Sequence, residues 1–169
     1  MFASMSTAIR ILGIDPGLNA TGWGVIDQTG SRVSAVGWGV IKAPPRAAMS
    51  QRLCFIHDAI EALIAEYAPG EAAVEDQFVH VNPGSALKLG QARAAAILAP
   101  ARAGLSVAEY APRLIKKAVV GTGAADKGQI AAMIAILLPG TKAEADAADA
   151  LAIAICHANH RTSMTRLAR

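Results

Sequence analysis

The sequence predicts an α/β fold in which a five-stranded mixed sheet is flanked by helices within a single domain. The length of 169 residues is typical of one domain, and the hydrophobic content of 53% is enough to fill a core. Charged residues make up only 17% of the chain, which excludes an intrinsically disordered protein. The third observation is the order of the periodic segments, in which three strands are followed by alternating helices and strands.

The first three predicted strands form a meander. An apolar run at 10–14 is the first strand, and the turn residues of the PGLNATG segment follow it. The second strand, at 22–27, and the third, at 32–43, are separated only by a short turn at 28–30, so we expect an antiparallel hairpin. A pair of prolines ends the third strand.

The rest of the chain alternates helix and strand before a helical end. Apolar residues fall on one face of 49–67, which predicts an amphipathic helix that Pro69 and Gly70 terminate. The helix predicted at 85–102 is apolar nearly all round, which indicates contacts on more than one side. Proline and glycine residues help to mark the remaining elements, which are strands at 72–75 and 106–110 and helices at 111–119, 127–138 and 143–160.

Two of the predicted strands end in carboxylates. Asp15 follows the first strand and Glu75 ends the fourth, each directly after an apolar run. A right-handed crossover through the helix at 49–67 places these strands side by side and parallel, so both acids are expected at one edge of the sheet. Carboxylates avoid such positions unless they are paired or bound to a cation.

Two more acids, Asp146 and Asp149, lie three residues apart in the final helix and therefore share one helical face. The residues around them are almost all Ala, Leu and Ile, so this helix packs on the core. An exposed first helical turn is the alternative, because acids favour the positive end of the helix dipole. Together with Asp15 and Glu75, these hard oxygen ligands suit Mg²⁺ or Mn²⁺. Two such ions about 4 Å apart can activate water and stabilise the leaving oxygen of a phosphodiester.

The chain is basic outside these acids. There are 16 lysines and arginines and 13 acids, for a net charge of +3, and with four acids neutralised by metal the remaining balance is +7. Basic residues concentrate in the middle of the chain, at Lys88, Arg93, Arg102, Arg113, Lys116, Lys117 and Lys127. This concentration predicts a polyanionic partner such as a phosphate backbone, and a solvated basic surface is the alternative.

Four sequence blocks resemble the RuvC family of Holliday-junction resolvases in order and spacing. They are GIDPGLNATGWGVI, VEDQF with SALKLGQAR, VVGTGAADKGQ and ADAADALAIAI, and the resemblance extends from about Ile11 to His157. It implies a ribonuclease H-like fold and a homodimer. It also implies a Mg²⁺-dependent endonuclease of bacterial recombination and DNA repair that makes paired symmetric nicks in a four-way junction and leaves 5′-phosphate ends. The implied partners are a branch-migration motor and a junction-binding tetramer (RuvA and RuvB).

The resemblance further implies roles for individual residues. The family's catalytic, metal-binding carboxylates are matched by Asp15, Glu75, Asp146 and Asp149. Lys127 matches a lysine near the scissile phosphate, Lys116 matches another basic residue of the DNA face, and Phe78 matches an aromatic residue that contacts bases at the crossover. The concentration of basic residues between Lys88 and Lys127, called the basic segment below, adds three predicted DNA contacts. They are Lys88, Arg93 and Lys117. Asp76 departs from the family pattern, and strand alternation directs it away from Glu75.

The chain is expected to divide into an N-terminal extension at 1–9, a nuclease domain at 10–160 and a basic flexible tail at 161–169. No apolar run approaches the roughly 20 residues of a membrane span, and the N-terminus lacks the pattern of a signal peptide, so a cytoplasmic location is expected. Cys54 and Cys156 lie in apolar surroundings and are expected to be buried thiols rather than a disulfide.

Other functions stay open at this point. A ribonuclease H-like nuclease can act on another nucleic acid, such as an RNA–DNA hybrid, and a junction-binding scaffold can lack catalysis altogether. The DPGLNATG turn also resembles that of actin- and hexokinase-like ATPases, but those need two related domains. The helix at 85–102 carries more apolar surface than one sheet can bury, so it is the expected dimer interface unless neighbouring helices cover it.

Overall fold

The computed structural model describes residues 7–76 and 82–167, with the side chains of the last helix described as far as residue 161. Its strands form one five-stranded mixed sheet in the order β3-β2-β1-β4-β5, which confirms the predicted fold class. β1, β2 and β3 pair antiparallel, and β1, β4 and β5 pair parallel. The strands are β1 (Ile9–Asp15), β2 (Thr21–Thr29), β3 (Arg32–Ile41), β4 (Glu71–Glu75) and β5 (Ser106–Tyr110).

Helices cover both faces of the sheet. They are α1 (Met49–Tyr67), α2 (Pro83–Arg102), α3 (Pro112–Val120), α4 (Lys127–Leu137) and α5 (Ala145–Leu167). α1 and α2 pack on one face, and α3, α4 and α5 pack on the other, so the sheet separates two apolar clusters. α2 begins two residues earlier than predicted, because the Asn82 side chain accepts hydrogen bonds from the backbone N–H groups of Gly84 and Ser85 and caps the helix.

Side-chain alternation decides which strand residues face α5. Ile14 of β1 and Val74 of β4 are fully buried in the cluster beneath α1 and α2. Successive side chains of a strand point to opposite faces. The next residues, Asp15 and Glu75, therefore point to the face that α3, α4 and α5 cover.

α5 lies directly on β1 and β2, because glycines remove the side chains that would separate them. A Cβ atom added at Gly13 would lie 2.1 Å from the carbonyl oxygen of Ala150, and one added at Gly22 would lie 2.0 Å from the carbonyl oxygen of Asp146. Both contacts are with backbone atoms, so no change of rotamer can relieve them. The start of α5 is thus held against the ends of the central strands.

α5 is longer than the sequence predicts. Its apolar pattern indicates an end near His160, but the helix continues to Leu167. Glu71 of β4 helps to hold this extension, because its Oε2 lies 2.6 Å from Nε2 of His157 and 2.6 Å from Nε of Arg161. The sequence predicts a flexible tail at 161–169, but the backbone of 161–167 is helical. The domain boundaries stay a prediction.

The two cysteines differ in exposure, and both thiols are free. Cys156 is buried, as predicted, but the prediction is wrong for Cys54, which is exposed. The buried face of α1 carries Arg52, Ile56 and Ile60, and Cys54 lies about half a turn from it. Among the helices of the described ranges, none is long and apolar enough to cross a membrane.

Candidate active site

Three carboxylates meet where β1 ends. Oxygen atoms of Asp15, Asp146 and Asp149 all lie within 4.8 Å of one another. Asp146 lies in the first turn of α5, one turn before Asp149. Glu75 ends the neighbouring strand β4 and lines a cleft together with Asp15 and Asp149. Its charge also acts on Asp15. The structure thus brings together the four acids that the positions of strand ends and helix face predict.

The cluster is electrostatically unfavourable without a cation. Burial raises the pKa of Asp15 from 3.8 to about 7, and repulsion from Glu75, Asp149 and Asp146 adds to that rise. Burial also raises the pKa of Asp149, and Asp146 contributes in the same direction. Folding therefore forces together carboxylates that repel one another when ionised.

Two lysines border the carboxylates. Lys116 and Lys127 line the cleft of about 340 Å³ together with Asp15, Glu75 and Asp149. The Lys127 Nζ atom lies 3.5 Å from Oδ2 of Asp149, and this charge opposes the rise in the pKa of that acid. Lys127 is the first residue of α4, where Asp126 and Gln129 form reciprocal cap hydrogen bonds of 2.8 and 2.9 Å. The cap fixes the backbone position of Lys127 at the start of α4.

The donor set fits a divalent metal ion. Asp15, Asp146 and Asp149 offer only carboxylate oxygens, which hard cations prefer, and their spacing allows one ion to contact all three. A cation would also relieve the repulsion that raises the pKa of Asp15. The acidic residues of this cleft can therefore hold a metal.

The predicted DNA contacts lie in different surroundings. Lys88 is exposed on α2, whereas the guanidinium of Arg93, on the same helix, contacts Glu109, Asp76 and the carbonyl oxygen of Glu75. Asp76 thus lies on the α2 side, away from the carboxylate cluster, as alternation predicts.

Lys117 does not line the cleft described above. Lys117 borders a separate groove with Leu114, Asn159 and His160, so the structure does not bring it together with Lys116. The reason is that adjacent residues of α3 point about 100° apart around the helix. Phe78 falls outside the described residues.

Arg52 is a residue that the sequence analysis missed. It is buried in α1, and its Nη2 donates hydrogen bonds to the Leu18 carbonyl oxygen at 3.0 Å and to Oδ1 of Asn19 at 2.7 Å. These bonds hold the loop that follows Asp15. Its spacing of four residues from the buried Ile56 was the available signal, because it places an arginine on the apolar face of the helix.

The fold and the site define a metal-dependent nuclease of the ribonuclease H-like class. A family model described as crossover junction endodeoxyribonuclease RuvC matches residues 11–157. A protein of that name from Maricaulis maris (strain MCS10) is 64% identical over 157 residues, which cover 93% of this chain and 95% of the relative. The chain belongs to the RuvC family of crossover junction endodeoxyribonucleases.

Solved structures agree with this assignment. The structure of Thermus thermophilus RuvC in complex with Holliday junction substrate has a TM-score of 0.86 and 32% identity, over 93% of this chain and 97% of that chain. The yeast mitochondrial Holliday junction resolvase has a TM-score of 0.65 over 99% of this chain and 89% of its own. At 13% identity, the yeast protein supports the fold alone.

Proposed function

We propose that this protein is a structure-specific endonuclease that resolves four-way DNA junctions in recombination and DNA repair. It hydrolyses phosphodiester bonds in two symmetric strands and leaves 5′-phosphate ends. The observation that carries the proposal is the convergence of Asp15, Glu75 and Asp149 in a cleft bordered by Lys116 and Lys127. Asp146 adds a fourth carboxylate, with an oxygen within 4.8 Å of those of Asp15 and Asp149. Membership of the RuvC family supports the junction as the substrate.

The proposed metal is Mg²⁺, with Mn²⁺ able to replace it, and two ions in each site. The ions would be held by the ionised carboxylates of Asp15, Glu75, Asp146 and Asp149. Each of these side chains would act as a metal ligand and not as a general acid or base. A bound ion of this kind lowers the pKa of water and neutralises charge on a phosphodiester. Oxygen atoms of Asp15, Asp146 and Asp149 lie within 4.8 Å of one another, which is close enough for one ion to contact all three.

The two lysines have different proposed tasks. Lys127 is 77% exposed and lies 3.5 Å from Asp149, so its ammonium group can reach a phosphate at the metal site and oppose the charge that develops on it. Lys116 lines the same cleft and would bind a DNA phosphate. Lys88 is exposed on α2 and would add a further phosphate contact.

Paired nicks require two sites, and α2 offers a surface for a second copy of the chain. Leu87 is 64% exposed and Leu98 is 50% exposed on this helix. Leu98 and Ala94 border a mostly apolar groove of about 460 Å³ between α1 and α2. The protein's own helices leave these residues uncovered in the described structure, which supports a homodimer through α2.

Family membership supports the branch-migration motor and junction-binding tetramer (RuvA and RuvB) as proposed partners. Relatives such as the one from Maricaulis maris are bacterial proteins. A cytoplasmic location stays a prediction.

A cleavage assay on three labelled substrates tests the proposed function. The full chain is incubated with a synthetic four-way junction, an RNA–DNA hybrid and a plain duplex, each with Mg²⁺, Mn²⁺ or Ca²⁺. We expect paired nicks in the junction with Mg²⁺ and Mn²⁺ but not with Ca²⁺, whose larger and looser coordination suits in-line displacement poorly.

The Asp149→Asn variant is the matched control for this assay. It removes one ligand charge, so we expect it to bind the junction normally and to cut it at less than about one hundredth of the normal rate. Preferential cutting of the hybrid would favour a ribonuclease H activity. Binding of the junction without cutting under every metal condition would identify a scaffold.

A further inference from the structure

Arg93 of α2 holds the end of β4 from the face of the sheet opposite the carboxylate cluster. Its Nε donates a hydrogen bond to the carbonyl oxygen of Glu75 at 3.2 Å. Its Nη2 pairs with the Glu109 carboxylate of β5 and lies 3.5 Å from Oδ1 of Asp76. The Arg93 side chain is only 20% exposed, so most of its surface is covered by the rest of the protein.

These contacts restrain the backbone that carries the Glu75 side chain. The Asp76 N–H donates a hydrogen bond of 2.8 Å to the Tyr110 carbonyl oxygen of β5, so residues 75 and 76 are held from two sides. The direction of the Glu75 side chain follows from the backbone angles at that position. Because strand alternation turns this carboxylate toward α5, a change in the backbone at 75 would move it relative to Asp15.

The charges around Arg93 argue against a DNA contact. Two carboxylates, from Glu109 and Asp76, lie beside one guanidinium. A phosphate would have to compete with both acids for the same hydrogen-bond donors. Lys88 lies on the same helix and, unlike Arg93, is exposed to solvent.

We propose that Arg93 is a positioning residue that sets the Glu75 carboxylate for metal binding, in place of the DNA contact that the basic segment predicts. The inference rests on the proposed function, in that Glu75 is taken as a metal ligand. Partners that orient ligands typically change metal affinity by about 10- to 100-fold when they are removed. An arginine that contacts only phosphate would leave that affinity unchanged.

The test measures metal binding and DNA binding separately. Mn²⁺ is titrated into the full chain without DNA and followed by electron paramagnetic resonance, and junction affinity is measured without divalent metal at several salt concentrations. We expect Arg93→Gln to lower Mn²⁺ affinity about tenfold. Junction affinity should stay within about twofold, with an unchanged salt dependence. Lys88→Gln is the matched control, because it removes one positive charge from α2 without touching Glu75, and its Mn²⁺ affinity should be normal.

Arg93→Lys should recover part of the Mn²⁺ affinity, because an ammonium group can still donate to the Glu75 carbonyl oxygen. Unchanged Mn²⁺ affinity in Arg93→Gln, with weaker junction binding and a salt slope reduced by about 1, would overturn the proposal. If Arg93→Gln does not fold, Glu109→Gln removes a partner that holds the guanidinium. Lower Mn²⁺ affinity in that variant supports the proposal, and normal affinity overturns it. A wild-type protein that binds Mn²⁺ but cuts no junction contradicts the proposed function alone.

Discussion

Gly22 of β2 lies directly against the backbone of Asp146 in α5, with space for a hydrogen atom but not for a methyl group. A Cβ atom at this position would lie 2.0 Å from the Asp146 carbonyl oxygen and 2.5 Å from its carbonyl carbon. The absence of one side chain therefore determines how closely Asp146, an acid of the carboxylate cluster, approaches the sheet.

Gly22→Ala should displace the start of α5 and with it Asp146. We expect a loss of stability of about 1–3 kcal/mol, which is typical of an overpacked site. The cleavage rate should fall by more than the fraction of protein that this loss of stability unfolds, because the carboxylates separate while the protein remains folded. Urea unfolding and cleavage of a four-way junction measure the two effects.

Gly70→Ala is the control for this substitution. The added Cβ would lie 3.8 Å from the Arg10 carbonyl oxygen, which is an ordinary contact. We expect near-normal stability and cleavage. Normal cleavage by Gly22→Ala as well would show that α5 can shift without disturbing the site.

Asp15→Asn should change how stability depends on pH in the absence of metal. The folded-state pKa of Asp15 is raised from 3.8 to about 7 by burial and then by repulsion from Glu75, Asp149 and Asp146. A raised pKa means that the protonated acid is favoured by folding, so this contribution is complete below about pH 4 and is lost as the pH rises through about 7. The full difference corresponds to roughly 4 kcal/mol at 1.36 kcal/mol per pH unit.

Urea unfolding in chelator at pH 5 and pH 8 checks this prediction. Asp15→Asn should be more stable than the wild type at pH 8, and the advantage should shrink at pH 5. Mg²⁺ should restore the wild type at pH 8, because a ligand that binds only the folded state stabilises it. An equal difference at both pH values would contradict the shifted pKa.

Lys127→Gln should mainly slow cleavage. Its ammonium group lies 3.5 Å from Asp149 and opposes the rise in the pKa of that acid. We expect a rate about 100-fold lower, junction affinity within a few-fold of normal, and a pH profile moved to higher pH. Lys142→Gln removes an exposed lysine that does not line the cleft and should cut normally. A change in affinity alone would make Lys127 an ordinary phosphate contact.

Ala94→Glu should produce a monomer. Ala94 is exposed on α2 and borders the apolar groove with Leu98, so a charge there opposes burial against a second copy. Sedimentation should show half the wild-type mass, and junctions should be nicked poorly and without paired cuts. Ala65→Glu adds the same charge to an exposed position of α1 and should remain dimeric. A monomeric wild type that still makes paired nicks would contradict the dimer.

The four carboxylates could be predicted from the sequence because their positions follow from local rules. Asp15 and Glu75 end apolar strands, and Asp146 and Asp149 share a face of an apolar helix. Parallel pairing of β1 with β4 then brings the first two together, and this pairing follows from the handedness of the crossover.

The arginine contacts could not be predicted in the same way. Arg52 reaches Leu18, which precedes it by 34 residues, and Arg93 reaches Glu75 across 18 residues. No periodicity shows where a long, flexible side chain finds its partner. For the same reason, the concentration of positive charge predicts a DNA contact at Arg93 but does not reveal that Asp76 and Glu109 lie beside its guanidinium.

The acidic cleft draws its oxygens from β1, β4 and α5, which lie far apart along the chain. During synthesis, a ribosome adds α5 long after Asp15 and Glu75 have emerged. A nascent chain that ends before residue 145 carries neither Asp146 nor Asp149, and it lacks the helix that fills much of the core. Such a chain cannot assemble the carboxylate cluster, so an unfinished copy that ends before residue 145 lacks the metal site on which the proposed cleavage depends.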